Sequence, residues 1–275
     1  MSVTISRQAA SQHPPDPPPR NVATREKHLA LCRELVIDHL TNRSILVEVG
    51  SADAPFDHLP GLAVGRKISL DVDISALETA DRQRKIDGGS LLAADGHCMP
   101  LRSESVDGII AIFVFEHLGR PTQFFEEAAR VLKPGGFLFA VTPNVANPLF
   151  FPVLLIPVGL REKLLRIVGG HPDHRYLTHL KANTTRRLAE LSLRSGFKIS
   201  RCEFLWEDHY FHRLPGGTVI LEAIDRWASG TELQGFAGRL YVLLQKNGPD
   251  GVPSRNENRE PEDAEGQPAA GFLST

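Results

Sequence analysis

The sequence predicts an α/β fold: a doubly wound, mostly parallel seven-stranded sheet with helices on both faces. Two observations carry this reading. Short apolar runs alternate with segments of helical periodicity, the pattern of strands joined by crossover helices. The runs are also near-continuous in Val, Ile, Leu and Phe, as strands covered on both faces must be.

Each element follows in order. ATREKHLALCRELVIDHL sets Leu29, Leu31, Cys32, Leu35, Val36 and Leu40 along one helical stripe. ILVEVG (45–50) is a β-branched run that ends in glycine. KISLDV (67–72), SLLAAD (90–95), GIIAIFVF (108–115) and GFLFAVTP (136–143) supply four more strands. Before the last of these, PTQFFEEAARVL (121–132) reads as an amphipathic helix, stopped by Lys133-Pro134-Gly135-Gly136. TTRRLAELSLRSGF (184–197) is a helix with its stop at Gly196, and FKISRCEFL (197–205) and GRLYVLLQK (238–246) complete the strands.

The folded body spans 23–247. Residues 1–22 are Pro-rich and 248–275 are rich in Gly, Pro and acids, so neither buries enough apolar surface to offset its ordering entropy, and both are expected to be disordered tails. Stretches 144–182 and 206–236 are too long for simple connections and are expected to carry function.

Composition narrows the classes. Against 33 acidic residues stand 31 basic ones, a net charge of -2, which excludes a strongly basic nucleic-acid surface. Cysteines 32, 98 and 202 are odd in number and form no CxxC, which argues against a disulfide framework or zinc module and for a reducing compartment. The longest apolar run, Pro148 to Leu160, is broken at Pro152 and Pro157 and is shorter than the ~20 residues of a membrane helix. A cytoplasmic protein without a transmembrane segment is expected.

In a doubly wound sheet, ligands bind beyond the carboxyl ends of the strands, near the switch point. The first such turn reads Glu48-Val49-Gly50-Ser51-Ala52-Asp53-Ala54-Pro55. A dinucleotide fingerprint requires glycines at 52 and 55, so a pyrophosphate cradle fails here. Glu48 and Asp53 would repel phosphates and suit an ammonium or sulfonium ligand. Asp71 and Asp73 lie 21 and 23 residues beyond Gly50, about where a carboxylate meets a ribose diol; the sequence does not choose between them. Asp95, after the third strand, can accept from an exocyclic amine. Any one of these acids alone reads equally as a turn residue or helix cap.

EVGSADAP, LDVDIS, LLAADGHCMPL, SVDGIIAIFVFEHL and EEAARVLKPGGFLFAVTPN resemble, in order, the motifs of class I S-adenosylmethionine-dependent methyltransferases, within the type 11-like group. The resemblance covers about residues 45–145 and continues weakly through HRYLTHLKANTTRRLAELSLRSGF. It implies a Rossmann-like fold with an antiparallel last strand and S-adenosyl-L-methionine as cofactor. Glu48 and Gly50 would then hold the methionine end, Asp71 or Asp73 the ribose, and Asp95 with Gly96 the adenine. Phe113 would line the cofactor at the end of the fourth strand. Ala52 stands where the family usually has the second glycine, and its methyl narrows the backbone approach.

Methyl transfer from a sulfonium is an in-line displacement, needing a base only if the acceptor must lose a proton. His117, in Phe115-Glu116-His117-Leu118, is the candidate catalytic residue as an acceptor-side base or positioning group; the alternative is a helix-start His bonded to backbone. His171, His174 and His179 match no zinc spacing, so no metal is expected; His174, Tyr176 or His179 could instead contact the acceptor. The apolar run at 148–167 suggests a lid over a hydrophobic or amphipathic acceptor, or plain packing, ahead of a membrane-surface or partner contact. The expected activity is methyl transfer to a small-molecule or lipid-like acceptor, at oxygen. The alternative is a binding or scaffold protein of the same fold that has lost methyl transfer.

Overall fold

Seven strands form one sheet in the order β3-β2-β1-β4-β5-β7-β6. They are β1 (Ile45–Val49), β2 (Arg66–Asp71), β3 (Ser90–Ala93), β4 (Val106–Ile112), β5 (Leu132–Pro143), β6 (Phe197–Leu205) and β7 (Arg239–Lys246). Strands β1 to β5 pair in parallel, whereas β7 inserts antiparallel between β5 and β6. The doubly wound sheet with its antiparallel last strand is therefore as expected. The structure, a computed structural model, describes residues 22–52, 54, 56–83, 89–147, 178–205, 223, 226–227 and 237–248. Most of the two insertions, and the tails apart from Val22 and Gly248, lie outside these residues, as do Asp53, Pro55, His171, His174, Tyr176 and the 148–167 run.

Period-two alternation splits the buried side chains between two cores. Val47, Val49, Ile109, Ala111, Leu138, Ala140, Val242 and Leu244 face one way. There they meet α3 (Pro121–Val131) through Phe124, Phe125 and Ala128, and α4 (Thr185–Arg194) through Leu188 and Leu191. Leu46, Ile110, Phe139, Val141 and Leu243 face the other way, against Cys32, Leu35 and Val36 of α1 (Val22–Ile37) and the loop residues Phe56, Leu59 and Leu62. Pro121 opens α3 with a fixed φ and no N–H to satisfy. Thr184 caps α4 by accepting from the Arg187 N–H at 3.2 Å.

A fourth helix, α2 (Ile74–Arg82), joins β2 to β3 and was not expected from the sequence. Its apolar stripe is only Ala76, Leu77 and Ala80. Among the described residues no helix is long and apolar enough to cross a membrane.

Candidate functional site

The strand order reverses between β1 and β4, so the ligand-binding crevice of this topology lies at their carboxyl ends. Glu48, on β1, is 3% exposed, and its carboxylate accepts the N–H of Phe56, tying the following loop back to the strand. Burial pushes this carboxyl up to about 8; the Phe56 bond and Lys67 oppose the rise, while Asp57 and Asp71 add to it.

Gly50 takes φ +71° and donates its N–H to Leu70 O at 2.8 Å. A Cβ at Gly50 would stand 2.5 Å from Val114 Cγ2, across the switch point. Gly50→Ala is therefore expected to cost about 2–4 kcal/mol, from left-handed strain and overpacking together, read as a lower denaturant midpoint. Ala52 also sits at positive φ, +47°, in the family's glycine position. Its N–H donates to Asp71 Oδ2 at 2.7 Å, which holds the strained turn. Ala52→Gly removes the strain but loosens the unfolded chain, so a net gain of up to about 1 kcal/mol is expected in the same measurement.

At the tip of β2 the two candidate acids separate. Asp71 is 4% exposed and takes two backbone donors, Ala52 N–H on Oδ2 and Asp73 N–H on Oδ1 at 2.9 Å. It braces the two turns against each other. Asp73 is half-buried and caps α2, its Oδ1 accepting from Ser75 N–H (3.0 Å), Ser75 Oγ (2.6 Å) and Ala76 N–H (3.2 Å). Val72 and Ile74 on either side of it are 58% and 59% exposed.

Beyond β3, Asp95 is exposed, and its Oδ1 accepts both the backbone N–H (2.8 Å) and ring Nδ1–H (2.6 Å) of His97. Burial alone would raise this carboxyl, but the His97 donors and the charge of Arg120 outweigh it and hold it below the usual range. A Cβ on Gly96 would lie 3.0 Å from Val49 Cγ1 and 3.2 Å from Phe124 Cε2, so this bend passes close over β1. With Ala94 N–H bonded to Asp71 O at 3.0 Å, the three acid-bearing bends form one contiguous edge.

Phe113 follows β4 at φ +58°, its N–H donating to Val141 O at 2.8 Å. His117 ends the single turn Phe115–His117, half-buried, its backbone N–H bonded to Val114 O at 2.9 Å. The preceding Glu116 is buried and accepts from Thr142 Oγ1 at 3.2 Å, which in turn accepts from Asn183 Nδ2 at 2.6 Å. Burial raises the Glu116 carboxyl above its ordinary range. Of the histidine-rich segment, His179 is described: it is exposed and its N–H donates to Glu116 O at 2.7 Å.

Sequence reasoning missed two groups. Glu127 and Arg130 of α3 clasp the bend after Asp95. Glu127 accepts from Met99 N–H at 2.6 Å, and Arg130 donates to Met99 O (3.0 Å) and Leu101 O (2.9 Å). Their helical spacing, Glu then Arg three residues on, was the available signal. The second group surrounds Phe113: Arg239 lies 4.6 Å above its ring, with His28 and His58 at centroid distances of 6.3 and 5.9 Å. No local spacing announces residues so far apart in the chain.

Comparison with known proteins places the central region of the chain. Residues 47–140 match the family model described as Methyltransferase domain. The ubiquinone biosynthesis O-methyltransferase of Hydrogenovibrio crunogenus is 27% identical over 142 residues, covering 50% of this chain and 56% of that one. The malonyl-(acyl-carrier protein) O-methyltransferase of Methylococcus capsulatus is 30% identical over 153 residues, covering 53% and 50%. The chain spans 20%, 56% and 61% of the length of three curated relatives it matches. Among solved structures, the YcgJ protein of Bacillus subtilis has a TM-score of 0.53 at 14% identity, over 81% of this chain and 99% of that one. An S-adenosylmethionine-dependent methyltransferase from Mesorhizobium loti has a TM-score of 0.51 at 17% identity, over 77% and 95%. Together these bear out the resemblance of the central region to a methyltransferase domain.

Proposed function

From a chain whose residues 47–140 match a methyltransferase domain, we propose a class I S-adenosylmethionine-dependent enzyme that transfers a methyl group to oxygen of a small-molecule or lipid-like acceptor. The observation that carries this reading is the continuous edge formed by the turns after β1, β2 and β3. Acids stand at the ends of all three strands, and the first turn is built on a glycine whose positive φ and missing Cβ let it pack closely against Val114. A ligand with an ammonium or sulfonium, a ribose diol and an exocyclic amine matches that donor and acceptor set.

Glu48 and the Gly50–Ala52 turn take the methionine end. Asp71 is buried and braces two turns, and Asp73, half-buried at the tip, takes the ribose. Asp95 presents Oδ2 to the adenine amine, because both His97 bonds fall on Oδ1, and Gly96 keeps the bend close to β1. Phe113 lines the cofactor at the end of β4. When bound, the cofactor supplies an already activated methyl group, so these residues position and exclude water rather than perform acid–base chemistry. His117 then contributes position at the mouth. Transfer to oxygen is supported by the O-methyltransferase names of two relatives. A cytoplasmic location completes the reading.

The test is calorimetric binding of S-adenosylhomocysteine, followed by incubation with methyl-labelled cofactor and a metabolite extract. Saturable binding and a labelled product are expected. No binding would leave a protein of this fold that has lost the cofactor, the reading to which strained Ala52 lends some weight; binding without a product would leave a scaffold that keeps it.

A further inference from the structure

Beyond the tip of β4, where α3 begins and α4 passes beside it, the surface opens into a cleft of about 530 Å³. It is lined by Arg120, Thr122, Gln123 and Glu126 at the start of α3, and by Lys181 and Arg187 on the α4 side. Three cations against one acid leave it with an excess of two positive charges. Lys181 donates to Gly119 O at 2.8 Å, which uses one of the three N–H groups of its ammonium. Arg187 gives Nη1 to Glu190 at 3.0 Å and, among the described residues, keeps the rest of its fork. Arg120 precedes α3 without capping it, and its charge reaches as far as Asp95. The helix adds backbone donors. Pro121 has no N–H and no side chain caps this end, so Thr122 and Gln123, both in the lining, carry the first N–H groups of α3.

The cleft adjoins the mouth of the site. Arg120 follows His117 by three residues, so their Cα atoms are at most about 11 Å apart. Lys181 is bonded to Gly119, and a Cβ on Gly119 would lie 3.3 Å from His179 Nε2. Gln123 Nε2 donates to His97 O at 3.2 Å, which ties the same helix start to the bend that carries Asp95.

We propose that this cleft holds a phosphate monoester and that the methyl acceptor carries it, anchored there while its reacting atom lies at the mouth beside His117. This rests on the methyltransferase reading and names its substrate class. Charge selects the ligand. A monoester is largely dianionic at neutral pH and matches the excess of two positive charges. Its three terminal oxygens give acceptors for two guanidinium forks, an ammonium and a helix start. A carboxylate, with one charge and two oxygens, answers only part of that set. No bond to phosphorus is made or broken; the phosphate is a handle.

Phenyl phosphate tests the cleft without turnover. Titrated into ¹⁵N-labelled protein, it should move the Thr122 and Gln123 amides saturably and bind at least about tenfold tighter than benzoate at equal ionic strength. Equal affinity for the two overturns the phosphate assignment. Arg187→Gln and Lys181→Gln should each weaken phenyl phosphate about threefold to tenfold, the loss of one partly exposed charged contact. Glu126→Gln should tighten it about twofold to fivefold, a gain that misfolding does not produce. Arg43→Gln, which removes a charge just before β1 at the opposite edge of the sheet, should leave it unchanged. No saturable binding, or equal losses in Arg43→Gln and Arg187→Gln, overturns the site. The acceptor is read on the labelled product of the extract incubation, whose charge and retention alkaline phosphatase should change. Label that partitions into water then marks a soluble ester, and label in chloroform a phosphatidate-like lipid. A product indifferent to phosphatase overturns the acceptor inference and leaves methyl transfer intact. No product, with S-adenosylhomocysteine still bound, defeats methyl transfer and the acceptor together, while the phenyl phosphate titration still decides the cleft.

Discussion

Asp71→Ala is expected to be the most destabilising single change at the strand tips. Its two oxygens satisfy the N–H groups of Ala52 and Asp73, and the side chain is 4% exposed. Removing it leaves two half-buried donors without their acceptors, at about 1–3 kcal/mol each. The turn at Ala52 also loses the bond that offsets its positive φ. A total of about 3–5 kcal/mol is a large fraction of a domain's stability. Equilibrium urea denaturation measures it. Asp71→Asn keeps one acceptor and presents an NH₂ to the other donor, so it should fall between alanine and wild type. A loss under about 1 kcal/mol for the alanine variant would mean that the two turns are held by other contacts.

Glu48 governs a second large effect, on the pH dependence of ligand binding. Its carboxyl is raised from 4.5 to about 8, first by burial. For an acid raised by folding, the protonated form favours the fold. That contribution is fully present below the unfolded value near 4.5, is lost as pH rises through the window up to about 8, and is level above it. A ligand carrying an ammonium prefers the ionised carboxylate, so it must displace the proton to bind at lower pH. Affinity for S-adenosylhomocysteine should rise from about pH 6 to about pH 8, approaching tenfold per unit, and then flatten. Glu48→Gln can still accept the Phe56 N–H but holds no charge. Its affinity should be flat across that range and about tenfold to a hundredfold weaker near pH 8. Calorimetry at several pH values reads both quantities. An unchanged slope in Glu48→Gln would reduce Glu48 to a brace for the loop.

The sheet was legible because strands buried on both faces write themselves as unbroken apolar runs. Helix α2 was not, since three small or aliphatic residues on nine positions make a weak stripe. The acids after β1, β2 and β3 were legible by type and spacing, but their jobs were not. Asp71 and Asp73 are two residues apart, and only the end of β2 at Asp71 and the start of α2 at Ile74 turn one into a buried brace and the other into a half-buried cap. The cluster around Phe113 was invisible for a different reason. His28 and Tyr241 are separated by 213 positions, and only the packing of α1 against β7 brings them within 2.7 Å.

That last strand has a consequence for how the molecule is made. β7 is threaded between two strands synthesised earlier, and β6 pairs in the sheet through β7 alone. During translation, the residues up to 238 emerge first, and the edge of β5 waits for its neighbour until residues 239–246 have left the ribosome. Arg239 and Tyr241 arrive with that segment, so a nascent chain that has already paired β1 to β5 still lacks their packing against Phe113 and His28 until β7 is in place.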